Sequence, residues 1–352
     1  MFSHGLGGSW NAYSQLLGSL ASCGLVCFSL EHRDQTAPIA IIRQPDGKGM
    51  KTIEYKKLSH DPNEEVLKAR NRQLRIRTWE LELVYTVVSM MNKGEALINL
   101  AIGGQVPPLQ GQLDLRPSQV SWVGHSFGAA TMLQLVKSIY WHQSMPDATG
   151  QSPETSVSES LYTPADNSIL KKQITARSPL VLLDLWTMPL RGDATRWLFE
   201  RQLPCYVDDQ ASGSNVLTIM SEEFYNYKEI IGRVKAVLSN DPKKYEAGDV
   251  DRKGSVNQNQ PRLFYIAQSA HLSQSDFALL YPWIAQKMLK TKDPNWILLQ
   301  NTAAILRFLR ERGIVVKGID TSIATEPSAG DMNLSSLVQS DNFPGLEAIP
   351  ID

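Results

Sequence analysis

Gly124-His125-Ser126-Phe127-Gly128 constrains this chain more than any other stretch. Before it runs Gln119-Val120-Ser121-Trp122-Val123, an apolar-rich segment that reads as a buried strand. After it comes Ala129-Ala130-Thr131-Met132-Leu133-Gln134-Leu135, which reads as a helix. A serine between glycines at a strand-to-helix turn is the arrangement of a nucleophile elbow. The turn is so tight that the flanking positions, Gly124 and Gly128, must lack side chains for helix and strand to pass closely. The serine hydroxyl is then left pointing outward.

The rest of the chain repeats the strand–helix alternation. Phe2-Ser3 reads as the end of a strand entering a glycine loop, with Gly5, Gly7 and Gly8 leaving backbone amides free to face a ligand. Tyr13, Leu16, Leu17, Leu20 and Ala21 then recur at helical spacing, and Leu25 to Leu30 is the next apolar run. Asn71 to Asn92 predicts a long helix. Leu180 to Leu183 predicts a buried strand ended by Asp184. Val216 to Met220 and Leu263 to Ile266 predict two more strands, and Tyr227 to Leu238, Phe277 to Leu289 and Asn295 to Arg312 predict helices. The fold class is therefore α/β, a mostly parallel sheet flanked by helices on both faces. Residues 1–312 read as one catalytic domain. Two polar stretches, 142–173 and 240–260, read as solvated insertions, and 313–352 as a loosely attached tail. A domain that opens on a functional loop is expected to be N-terminally truncated, with a sheet edge exposed beside that loop.

Composition narrows the classes of function. The chain has 352 residues and a net charge of −1, so no overall basic field points to nucleic acid. No uninterrupted apolar run is long enough to span a bilayer. The amino terminus lacks the basic region and apolar core of a signal peptide. Three cysteines, Cys23, Cys27 and Cys205, are too few and too odd in number for a disulfide scaffold. The expected location is cytoplasmic or peripheral to membranes. No spacing of histidines and cysteines suggests a metal, and none of the motifs calls for a cofactor.

In such sheets ligands sit beyond the carboxyl ends of the strands. Three residues with chemistry fall there. Ser126 follows one strand, Asp184 ends the next, and His271 lies five residues past Ile266. A serine hydroxyl needs a base to take its proton during attack. Imidazole titrates near neutrality and can do so, then return the proton to the leaving group. A carboxylate must hold the ring in the correct tautomer. The order Ser, Asp, His along the chain is that of the α/β-hydrolases. The developing oxyanion needs two backbone donors. Phe127, after the nucleophile, offers one, and the glycine loop, at Leu6, offers the other.

These motifs carry a family resemblance. Phe2-Ser3-His4-Gly5-Leu6-Gly7, Glu31-His32-Arg33-Asp34, Gly124 to Thr131, Leu183 to Leu190, and His271 with Asp276-Phe277 behind it resemble the platelet-activating-factor acetylhydrolases of the plasma and intracellular type II group. The resemblance spans Phe2 to about Leu309. It implies a calcium-independent serine esterase that removes short or oxidised acyl chains from the sn-2 position of phospholipids. It also implies Ser126 as nucleophile, Asp184 as orienting acid, His271 as base, and the Leu6 and Phe127 amides as oxyanion donors. Two other readings stay open: a general lipase or carboxylesterase of the same fold, and a catalytically impaired hydrolase-like protein that binds lipid.

Other residues have plainer readings. Asp193 is the nearest competitor to Asp184. His125 reads as a packed neighbour of the serine, His4 as ordering the glycine loop, and His32 as part of an ion-pair network around Glu31 and Asp34. His60 and His142 lie in polar segments and carry no signal. The apolar run with Leu279, Leu280 and Trp283, followed by Lys287 and Lys290, packs against the sheet with one edge exposed. The resemblance implies lipid contact at that edge, by a peripheral membrane or lipid-particle surface.

Overall fold

Apolar residues that alternate along the strands build a sheet with one core on each face. In this computed structural model, described for residues 1–351 apart from 45, 47, 102–103, 146–160, 208–212, 244–259, 289, 292, 319–333 and 340–344, seven strands form that sheet. They are β1 (Phe2–Ser3), β2 (Ser29–Leu30), β5 (Trp122–His125), β6 (Leu180–Leu183), β7 (Val216–Ser221), β8 (Arg262–Ile266) and β9 (Leu346–Ala348). Two further strands, β3 (Ile39–Arg43) and β4 (Met50–Glu54), make a separate antiparallel hairpin. The sheet order is β2-β1-β5-β6-β7-β8-β9, parallel throughout except for antiparallel β8–β9. The fold is that of an α/β-hydrolase.

Successive strand residues point to opposite faces. Leu180 and Leu182 join Trp122, Val216 and Leu263 in one core, whereas Val181 and Leu183 join Val123, Leu217 and Ile219 in the other. Helices α2 (Glu64–Lys93) and α3 (Phe127–Tyr140) cover the first face through Leu74, Leu81, Met132 and Leu135. Helix α1 (Ser14–Ser22) and the helix Pro294–Glu311 cover the second through Leu16, Leu20, Ile305 and Phe308. Burial on both faces is why these strands read as continuous apolar runs.

The chain leaves β1 in one direction to make β2, and β5 lies on the other side of β1. That reversal opens a crevice at the carboxyl ends of β1 and β5, where α/β sheets bind ligands. The glycine loop and the serine turn therefore share one crevice.

Several elements differ from the sequence reading. Helix α2 begins at Glu64, because the Asn63 side chain accepts the Val66 N–H at 2.9 Å and caps it. The expected helix Phe277 to Leu289 is two pieces, Phe277–Leu280 and Pro282–Met288, since Pro282 has no N–H to continue the first. The expected exposed edge beside the glycine loop is instead an interior position, with β1 paired on both sides and β2 at the rim. The tail expected to be loosely attached adds β9 to the sheet and buries Leu337, Val338, Ile349 and Ile351. Within the first polar stretch, Tyr162 and Leu170 are buried in the core rather than solvated. Residues 146–160 of the first insertion and 244–259 of the second lie outside the described residues.

Candidate active site

Ser126 holds a backbone conformation of φ 56° and ψ −116°, which costs a non-glycine residue roughly 1–3 kcal/mol. The surroundings hold it there. Its N–H donates to the Leu183 carbonyl at 2.8 Å, and α3 starts at the next residue. A Cβ at Gly124 would lie 2.3 Å from the Gly128 carbonyl oxygen, and one at Gly128 would lie 1.9 Å from that of Ser3. Both elbow glycines are thus required by contact distance.

Asp184 emerges from β6 fully buried, at φ 45°. Its carboxylate accepts the Ser221 N–H at 2.5 Å and the Ser221 hydroxyl at 2.8 Å. His271 comes from the turn after β8, and its Nδ1 lies 2.9 Å from Asp184 Oδ2. Because the carboxylate accepts, Nδ1 carries the proton and Nε2 is left as an acceptor. Ser126 Oγ lies 3.0 Å from that Nε2. The structure brings Ser126, Asp184 and His271 into one hydrogen-bonded line. Such a line can draw the proton off a hydroxyl while it attacks.

His271 is braced by residues that sequence reading missed. Phe224 stacks on the His271 ring, 4.1 Å between centroids and 6° from parallel. Glu223 Oε2 accepts the His271 N–H at 2.8 Å. Both belong to a short helix, Glu222–Asn226, whose N-cap is Ser221. The signal was present, since Ser221-Glu222-Glu223 after an apolar run is a helix-start pattern. Asp276 accepts from the Ser14 and Gln15 N–H groups at 2.6 and 3.1 Å, so the His271 loop is tied to the start of α1.

The glycine loop runs beside Ser126. A Cβ at Gly5 would stand 3.1 Å from Ser126 Cβ. Gly5 N–H donates to the Tyr13 hydroxyl at 3.0 Å, Gly7 N–H to the Thr36 carbonyl at 2.8 Å, and Gly8 N–H to the Gly5 carbonyl at 3.1 Å. The N–H groups of Leu6 and Phe127 have no acceptor among the described residues.

The remaining candidates fall into place around this line. Asp193 has a side chain 92 % exposed and pairs with Arg196, so it does not join Ser126. His60 is exposed with its ring 5.6 Å from Trp186, and His142 bonds to the Ile139 carbonyl. Leu280 and Trp283 are exposed, and Leu279 is half-buried. His125, Asp184 and His271 bring ligand atoms within 4.8 Å of one another, the one such group found among the described residues. The His271 nitrogens and the Asp184 oxygens already have hydrogen-bond partners, an arrangement suited to holding a proton in place.

Comparison with known proteins agrees with this fold. Residues 1–322 match the family described as platelet-activating factor acetylhydrolase, isoform II. The chain belongs to this family. Its members are hydrolases of lipid metabolism, phospholipid-hydrolysing esterases. A Schizosaccharomyces pombe protein named "Putative phospholipase A2" is 27% identical over 99% of this chain and 73% of its own length. A platelet-activating factor acetylhydrolase of Gallus gallus is 25% identical over 88% of this chain and 61% of its own length. One of Cavia porcellus is 36% identical over 38% of this chain and 30% of its own.

Proposed function

We propose that this chain is a calcium-independent serine esterase. Its substrate is the sn-2 acetyl, or short or oxidised acyl, ester of platelet-activating factor and related phospholipids. Ser126 is the nucleophile, His271 the base that then protonates the departing lysophospholipid oxygen, and Asp184 the group that orients His271 and stabilises its charged form. Attack by Ser126 Oγ on the ester carbonyl forms a tetrahedral intermediate, which collapses to an acyl-serine and the sn-2 alcohol. Water, deprotonated by His271, releases the short acid and restores the serine.

The observation that carries this reading is the line from Ser126 Oγ through His271 to Asp184, at 3.0 and 2.9 Å, beside two free N–H groups. Leu6 and Phe127 supply those groups to the oxyanion, each worth about 2.7–4 kcal/mol in the transition state. Contact with a lipid surface fits the segment that follows His271 in the chain. Leu280, Tyr281 and Trp283 are exposed, and Lys287 Nζ lies 5.4 Å from the Trp283 ring centroid. No helix among the described residues is long and apolar enough to cross a membrane.

The test is turnover of an sn-2 acetyl phospholipid and its long-chain counterpart, with EDTA present, by the chain and by Ser126→Ala. The expected result is acetyl hydrolysis that exceeds long-chain hydrolysis, survives EDTA and falls by at least about 10³-fold in the variant. Equal rates on both chains would favour a general lipase. Activity unchanged in Ser126→Ala would end the triad assignment.

A further inference from the structure

Behind the glycine loop lies a buried web of charge that the triad does not use. Its centre is Arg77 of α2, fully buried. The Nε–H of Arg77 donates to Asp34 Oδ2 at 2.7 Å. Its Nη1 donates to the His4 carbonyl at 2.7 Å and to Ser3 Oγ at 3.3 Å, and its Nη2 to Thr36 Oγ1. Asp34 in turn accepts the Thr36 N–H at 3.2 Å and the Thr36 hydroxyl at 2.5 Å. The guanidinium carbon Cζ lies over the Phe127 ring, 4.6 Å from its centroid.

These contacts converge on the two free amides. His4 stands two residues before Leu6, and its carbonyl is held by Arg77. Gly7 follows Leu6, and its N–H is held by the carbonyl of Thr36, whose hydroxyl Arg77 also grips. Leu6 is therefore bracketed on both sides by groups that one arginine fixes. Phe127, the other donor, carries its ring against the same guanidinium. We propose that Arg77 is a positioning residue for the oxyanion hole, setting the Leu6 N–H and the Phe127 N–H at their working separation.

This inference rests on the esterase reading above. It also gives a role to Asp34 of the Glu31-His32-Arg33-Asp34 motif, which holds the guanidinium from behind. A buried ion pair is a poor way to gain stability alone, because desolvation cancels much of the attraction. A planar fork that reaches four acceptors in fixed directions is what an arginine provides and a lysine cannot.

The experiment uses p-nitrophenyl butyrate as substrate and an alkyl trifluoromethyl ketone as inhibitor, whose adduct with serine places an oxyanion in the hole. Arg77→Lys keeps the charge and loses the fork. It is expected to lower kcat roughly 10–100-fold with KM within about twofold, because small misplacements of a catalytic group are costly. Ketone affinity should fall in proportion, and the pH profile should not move, since His271 and Asp184 are untouched. Phe127→Leu keeps the ion pairs and removes the ring; it should lower kcat in the same way, and less than additively in the Arg77→Lys background. Where Arg77→Lys fails to fold by circular dichroism, Phe127→Leu decides by the same readouts. A folded Arg77→Lys with wild-type kcat, or with lost kcat but unchanged ketone affinity, overturns the proposal alone. Turnover that survives Ser126→Ala overturns the esterase reading, and the proposal with it.

Discussion

At the scale of single residues, His125 shows how burial favours the neutral form of a side chain. Burial raises the Tyr13 phenol to about 12, so its hydroxyl keeps its proton. The Tyr13 oxygen accepts the Gly5 N–H and lies 2.9 Å from His125 Nδ1. Burial first, and the neighbouring His271 second, hold His125 well below its ordinary 6.5. A histidine kept neutral in the folded state binds fewer protons there than in the unfolded chain. Its contribution to stability is thus complete above pH 6.5 and is lost as pH falls below it. His32, also held low by burial, adds to the same trend, which is why a variant is needed to isolate His125. Urea denaturation should show the wild type losing up to about 1.4 kcal/mol more per pH unit below 6.5 than His125→Gln. Parallel pH profiles would contradict this. That His125 packs beside the serine was legible from its place in the elbow. Its partner was not, because Tyr13 read as one apolar position on α1 and the two lie 112 residues apart.

At the scale of elements, the elbow is a crossing of α3 over β1 and β5 at backbone contact. Gly128 faces the Ser3 and His4 carbonyls, and backbone cannot swing aside as a flexible side chain can. Gly128→Ala is accordingly expected to cost more than about 4 kcal/mol, or to leave the chain insoluble. A thermal midpoint equal to wild type would refute the close approach. These glycines were legible because their spacing is local and their steric reason general. The hairpin β3–β4 was not, since Ile39 and Ile41 on one strand face solvent and blur the alternation. The split at Pro282 was visible as a break in pattern, and the physical rule on proline makes it the start of a new helix. The cap at Asn63 was readable too, but it lies in a polar stretch with no apolar periodicity to draw attention to it.

At the scale of the whole molecule, the order of strands matters more than their number. The reversal between β1 and β5 is what gathers Leu6 and Ser126 into one crevice, and the parallel neighbours β6 and β8 add Asp184 and His271 at the same end. The α/β class and the sequence of strands were legible from alternation of apolar runs. The place of β9 was not. Leu346-Glu347-Ala348 is too short and too polar to announce a strand, and it becomes one only because β8 offers an edge to pair with. The candidate triad could be named from chain order and strand ends. What holds it, Ser221 on Asp184, Glu223 and Phe224 around His271, and Arg77 behind the loop, depends on pairings between distant segments that no local pattern encodes. The central claim is that Ser126 carries the acyl group between two half-reactions. The direct measurement is acid quenching during turnover of an sn-2 acetyl phospholipid, followed by peptide mass spectrometry. An acetyl group on the peptide that contains Ser126, absent when His271 is replaced by Ala, is the expected result. Turnover with no acetyl group on that peptide, or with one on another residue, would contradict it.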